Sequence, residues 1–230
     1  MPRTEVVFYQ EKEEDAPVIA WLTELRRSDR QAYARCLAAI ERLAEFGHEL
    51  RRPLTDILTD GIHELRVKQG RVNYRILYFF HGRNLAILGH ALTKENKVPK
   101  ADIEQPRRKT HSMAKTKDAL KILERVSGNN ETIKAGIARA KINFEVAQMI
   151  YDARTSAGLS QSDLAALIGS KQPVIARLED AGYEGHSLTM LQRIATALKQ
   201  RLELRFVPSR KRRIPRTRVL ASSKRKMQPA

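Results

Sequence analysis

Cysteine is almost missing from this 230-residue chain, which has Cys36 and no other. One thiol excludes an internal disulfide and a Cys-rich zinc site. Its position inside an apolar helical run marks it as a small buried hydrophobe. Long hydrophobic runs are missing as well: no apolar stretch reaches the roughly 18 residues of a membrane span. The first residues, with Glu5 and then Glu11 to Asp15, lack the pattern of a signal peptide. The chain is expected to be soluble and cytoplasmic, with no metal and no cofactor.

Acidic residues are missing only locally. The chain carries a net charge of +17, but residues 1–104 hold 17 Lys/Arg against 16 Asp/Glu and are nearly balanced. Residues 105–207 hold 17 against 10, and the last 23 residues hold 9 basic groups and no acid. A uniform polyanion binder is therefore excluded, and the basic excess belongs to the second half. The length suits one large or two small domains, each with its own core.

Thr4 to Tyr9 reads as a strand. Ala16 to Leu25 and Asp29 to Phe46 read as helices. In the second, Tyr33, Leu37, Ile40 and Ala44 recur on one face before Gly47 stops the pattern. Three strand-like runs follow, Ile62 to Val67, Val72 to Phe80 and Asn84 to Leu92, joined by turns at Gly70 and Gly82. They predict an antiparallel meander with both helices on one face. Residues 105–118 form a polar, basic linker. Ala119 to Ala157 is helical with a break at Ser127 to Asn130. Leu159 to Leu198 holds several short helices, and Arg201 to Val207 alternates like a strand. Residues 208–230 have no hydrophobic period and are expected to be disordered.

Two arginines on adjacent strands, Arg66 and Arg75, are separated by a short turn and can share a sheet face; Lys94 and Lys97 follow the last strand. Fixed cations of this kind stabilise charge on a phosphodiester under attack. His63, Tyr74, Tyr78 and His90 are weaker candidates for base stacking or acid–base work. Alternation must also send some of Tyr78, Phe79 and Phe80 into the core.

The runs Gly61-Ile62-His63-Glu64-Leu65-Arg66 and Tyr74-Arg75-Ile76-Leu77-Tyr78, then Lys94 and Lys97-Val98-Pro99, resemble the RelE/HigB toxin family, in its phage-derived branch. The resemblance covers residues 4–104. It implies a metal-independent mRNA endoribonuclease that acts on message, in this family usually at the ribosome. On this expectation Arg66, Arg75 and Lys94 are catalytic, and His63, Tyr74 and Lys97 bind substrate. Where the family carries a Lys-Lys pair, this chain has Lys94-Glu95.

The second half carries a different pattern. Gly158 ends one helix, and Ser160 caps the next with Asp163 at its third position. Leu164, Ala165, Leu167 and Ile168 form a packing face; Gly169 turns the chain, Ser170 caps a further helix, and Pro173 falls in its first turn. Val174 or Ile175, with Leu178, would anchor that helix to the core. Phe144 to Val207 thus resembles the XRE/HigA helix-turn-helix domain. The resemblance implies that Lys171, Gln172 and Arg177 read the major groove of operator DNA. Gln161 and Ser170 join the DNA-binding set, Gln161 on a phosphate.

Together these patterns predict an α+β domain followed by an all-α domain with a short C-terminal strand. Residues 1–104 form the toxin-like unit, 105–118 the linker, 119–207 the antitoxin-like unit and 208–230 a basic tail. The two units are expected to contact each other in cis or in trans, the nuclease being silenced by its tethered partner. Leu120, Ile122, Leu123 and Val126 are placed to dock on it. Expected partners are operator DNA, mRNA and a second copy of the chain, since half-sites are palindromic. The alternative is a transcription regulator whose toxin-like module is catalytically dead. In the tail, Arg210 to Arg213, Arg216, Arg218 and Lys224 to Lys226 could add non-specific phosphate contacts.

Overall fold

A computed structural model describes residues 4–10, 16–59, 61–94, 117–128 and 130–206. In chain order the elements are β1 (Glu5–Phe8), α1 (Pro17–Ser28), α2 (Arg30–Phe46), β2 (Thr55–Thr59), β3 (Ile62–Gln69), β4 (Val72–His81), β5 (Leu85–Lys94) and β6 (Lys117–Asp118). Then follow α3 (Ala119–Ser127), α4 (Glu131–Ser156), α5 (Gln161–Leu167), α6 (Gln172–Leu178) and α7 (Leu188–Ala197).

The sheet order is β2-β3-β4-β5-β1-β6. The predicted meander is its centre, β3-β4-β5, antiparallel throughout. β1 pairs in parallel with β5. Two strands were not expected. β2 is a short edge strand whose outward residues, with Ile57 68% exposed, hide its pattern. β6 is the end of the anticipated linker, Lys117–Asp118, and forms because β1 offers a vacant edge. The expected C-terminal strand is not seen: residues 201–206 are extended but make no ladder, since among the described residues no strand lies beside them to supply backbone partners. The rest of the linker, the basic tail, Val207 and Lys97 lie outside the described residues.

Local chemistry fixes the helices. Pro17 opens α1. Asp29 stops it and caps α2, its carboxylate accepting from the Gln31 and Ala32 amides at 3.0 and 2.9 Å. Gly47 ends α2 at φ +52°, where a Cβ would strike the Thr4 hydroxyl. Twelve of the 17 residues of α2 are buried, so it is covered on more than one side. The sheet lies on one side of it and α3 and α4 on the other.

The larger core therefore crosses from one half of the chain to the other. Tyr33, Leu37 and Ile40 of α2 cluster with Leu65, Ile76 and Tyr78 of the sheet, and also with Leu123, Ile133, Ala140 and Phe144 of α3 and α4. Leu120 and Ile122 pack against the same cluster, and the Tyr33 hydroxyl meets the Ser127 hydroxyl at 3.1 Å. The side chain of Val126 is not described. A second core holds Ile150, Leu164, Ala165, Ile168, Ile175, Leu178, Leu191 and Ile194. The change of core falls inside α4, whose 26 residues span about 39 Å. One continuous helix thus belongs to both.

Gly136 of α4 lies where α2 passes: an ideal Cβ there would sit 2.9 Å from the Ala34 Cβ. Helix propensity favours alanine over glycine by about 1 kcal/mol, but here the contact decides the sign. Gly136→Ala is expected to destabilise the chain in urea unfolding. In an Ala34→Gly background the same change should instead stabilise it, and destabilisation in both backgrounds would contradict the packing.

Candidate nucleic-acid interfaces

Arg66 and Arg75 are directly opposed in the β3–β4 register, so their side chains share one face of the sheet. Glu64, two residues before Arg66, lies on that face and is buried. Its carboxylate accepts a short hydrogen bond from Arg75 and stands 3.4 Å from Arg66 Nε. Arg66 Nη1 also donates to Asp56 Oδ2 at 3.2 Å, and Asp56 in turn holds Arg52 through two bonds of 2.6 and 3.1 Å. The two arginines are therefore brought together but already compensated by carboxylates. The Nε–H of Arg75 remains buried with no acceptor among the described residues.

Lys94 closes β5, with its backbone opposite Asn73 of β4; its side chain is not described. His63 does not join the arginines. Odd and even positions of β3 face opposite ways, and His63 stacks on Tyr78, with ring centroids 5.2 Å apart, on the helical side. Tyr74, opposite Val67 in the register, also belongs to that side. Its hydroxyl reaches Asp29 at 3.5 Å and its ring meets Trp21 edge-on, although it contributes to the rim of the cleft. The core reading of Tyr78 and Phe79 holds, as both are buried.

The cleft at Arg66 and Arg75 is a cavity of about 340 Å³, and its opposite wall comes from the second half of the chain: Tyr151, Gln161, Ala176, Glu179, Asp180 and Ala181. What holds that wall is the loop after α6. Beyond Leu65 the outer edge of β3 has no neighbouring strand among the described residues, so its carbonyls face the loop. Arg35, 7% exposed, donates to the carbonyls of Lys68 at 2.9 Å and Gly182 at 2.7 Å, and to Glu184 at 2.5 Å. Lys68 Nζ reaches Asp180 at 2.8 Å. The seat needs glycine: a Cβ on Gly182 would lie 2.8 Å from both the Lys68 Cβ and its carbonyl oxygen. Arg35, Asp180, Gly182 and Glu184 were not foreseen, because each contact joins residues more than 100 positions apart or lies in a loop without a pattern of its own.

The second surface is built around a buried pair. Arg154 of α4 donates twice to Glu179, at 2.6 and 2.9 Å, and once to the Leu159 carbonyl. Glu179 Oε2 also accepts from Gln161 Nε2 at 2.8 Å, and Gln161 Oε1 accepts from Gln172 Nε2 at 2.7 Å. The relay fixes two amides at the N-termini of α5 and α6. Lys171, Gln172 and Arg177 are exposed there, while Gln161 is half-buried. The capping box of Ser160 and Asp163 is complete. Ser170, however, caps nothing: the N-cap of α6 is Lys171, without a side-chain bond. A cap at Ser170 could use only the amides two and three residues on, and the second of these belongs to Pro173, which has none. Leu167 also departs from expectation, standing 58% exposed outside the packing face.

A three-layer α+β unit with paired sheet arginines, joined by one helix to a helix-turn-helix, defines a toxin-type domain attached to a DNA-binding domain. Residues 23–110 match the family described as phage derived protein Gp49-like, and residues 150–204 match a helix-turn-helix family. The chain thus joins a Gp49-like domain of the RelE/HigB kind to an XRE-type helix-turn-helix domain. No curated protein matches it in sequence. Among the described residues no group of three or more His, Cys, Asp or Glu could hold a metal ion, and no helix is long and apolar enough to cross a membrane.

Two outcomes follow from this geometry. Arg35→Ala orphans two carbonyls and is expected to cost about 1–3 kcal/mol for each that stays buried; Gly182→Ala should lift the same loop. Both should make the 180–186 segment a site of limited proteolysis while the wild type resists there, and equal resistance would contradict the seat. Burial, and secondarily His48, holds the His63 imidazole below its ordinary value of 6.5. The folded state then binds fewer protons than the unfolded one, so stability present at neutral pH is lost as pH falls through that range. The melting temperature should drop on acidification, less steeply in His63→Gln; parallel slopes would count against it.

Proposed function

We propose that the chain is a fused toxin–antitoxin regulator: its helix-turn-helix binds operator DNA and represses transcription, and its second half silences the toxin-type domain in cis. The observation that carries this is the seating of the loop after α6 on β3, which makes the DNA-reading unit one wall of the arginine cleft. The silenced activity is metal-independent cleavage of mRNA, with Arg66, Arg75 and Lys94 stabilising charge on the phosphodiester. His63, from the other face of the sheet, has no part in that step. In this fusion the antitoxin cannot be lost separately, so the cleft stays covered while the chain is whole.

A second reading is supported by Glu64 and Asp56, whose carboxylates already compensate the charge of both arginines. On that reading the toxin-type domain is chemically silent and serves only as a scaffold for the DNA-binding unit.

Growth of bacteria expressing residues 1–116 separates the two. The nuclease reading expects arrest, relieved by Arg66→Ala and by residues 117–230 supplied in trans to re-cover α2. Healthy growth with a soluble fragment of native circular dichroism would leave the silent scaffold. For DNA, Lys171→Ala with Gln172→Ala should weaken binding to the segment upstream of the coding region by roughly thirtyfold or more, since each of the two base-edge contacts contributes about 1–3 kcal/mol. Unchanged mobility shifts with a folded variant would overturn the operator assignment.

A further inference from the structure

The arginine cleft and the surface of the helix-turn-helix share two residues. Gln161 lines the cleft and also accepts from the Gln172 amide. Ala176 lines it too, one turn beyond Gln172 on the same face of α6. Across the cleft the rim is Arg52 and Pro53, in the turn that leads into β2. Inside the cleft the charges cancel, but they do not lie at equal depth. In the pairs Arg52–Asp56, Lys68–Asp180 and Arg66–Glu64 the cation is always the more exposed partner, at 56, 44 and 41% against 23, 27 and 3%. Glu179, on the opposite wall, is 3% exposed. Arg51, beside Arg52, is exposed and meets no carboxylate among the described residues. The solvated charge along the rim is therefore positive, and it is the charge that a polyanion meets first.

We propose that the Arg51–Arg52 turn of the toxin-type half is a phosphate clamp for duplex DNA, gripping the backbone strand that passes Gln161, so that both halves of the chain hold one operator. The clamp extends the operator reading above and rests on it. With Gln172 on a base edge and Gln161 on a flanking phosphate, the strand that carries this phosphate runs along the rim of the cleft. Its next phosphates then face the arginine turn on the other side. Such a contact reads no bases. It adds charge-assisted hydrogen bonds and releases counterions. It also gives the Arg35 seat a second use: by holding the loop after α6 on β3, the seat fixes the arginine turn beside the reading helix.

Mobility shifts of the full chain on the upstream segment and on an unrelated duplex of equal length, from about 50 to about 200 mM salt, test the clamp. Each phosphate contact contributes about 0.9 to the slope of log affinity against log salt. Arg51→Gln combined with Arg52→Gln should therefore lower the slope by about two and weaken both duplexes by one common factor. Over that salt range the wild type should lose about tenfold more affinity than the variant. Gln172→Ala should instead weaken the upstream segment alone and keep the slope. Asp56→Asn, which frees Arg52, should tighten both duplexes. Arg35→Ala, which loosens the seat, should weaken both. Tighter binding by Arg35→Ala would mean that the closed junction obstructs DNA, and would overturn the clamp. An unchanged slope in the double arginine variant, with native circular dichroism, would overturn it as well. A wild type that holds the upstream segment no better than the unrelated duplex counts against the operator reading, while the slopes on the unrelated duplex still decide the clamp. Binding to neither duplex would overturn both.

Discussion

A guanidinium cut off from water must find acceptors inside the protein, and Arg35 finds them on both sides of a junction. Its bonds to the Lys68 carbonyl, the Gly182 carbonyl and Glu184 tie α2, the free edge of β3 and the loop after α6 into one assembly. An unpartnered buried cation costs several kcal/mol. The loop therefore cannot leave without exposing Arg35 to water or stranding it. The shared helix α4 supports the same arrangement: Phe144 lies in the core around α2, and Ile150 in the core of the helix-turn-helix. The helix-turn-helix is held against the sheet by a buried charge at one end of the junction and by apolar packing at the other.

Electrostatics distinguishes the two candidate interfaces. On the sheet, every guanidinium of the cleft already meets a carboxylate, with Glu64 the most deeply buried among them. An incoming phosphate would have to compete with fixed acids in a site of limited exposure, where Coulomb interactions are strong. On the helix-turn-helix the buried acid, Glu179, is spent on Arg154 and Gln161, and the outward cations Lys171 and Arg177 are left in solvent. The surface that is open to a polyanion is the one on the helix-turn-helix. The other is closed by its own charges and by its neighbour.

Much of this was legible in the chain. The β3–β4 turn predicted Arg66 and Arg75 on one face, and their register opposes them directly. The same parity argument separates His63 from Arg66, since 63 and 66 fall on opposite faces of an unbroken strand; grouping them by motif proximity obscured it. The capping box at Ser160 was readable because it is local, whereas the helix after Ser170 starts one residue later, with Lys171 as its N-cap, and Pro173 removes one of the two amides that a Ser170 cap could use. The junction was not legible. Arg35 reads as one more polar residue on a helix, and only the fold brings Gly182 and Glu184 to it. Alternation at 201–206 was real, but alternation alone makes no ladder without a second strand.

Coverage of the cleft turns on Asp180 sitting against Lys68 within one chain. Zero-length carbodiimide coupling joins a carboxylate to an amine only when they touch, and these groups stand 2.8 Å apart. Lys141, 2.7 Å from Glu41, gives an internal control within the helical layers. Mass spectrometry of the digested product should find the Lys68–Asp180 peptide in a yield that does not change on dilution. Its absence while the Lys141 link forms, or a yield that rises with protein concentration, would mean that the loop does not cover its own cleft.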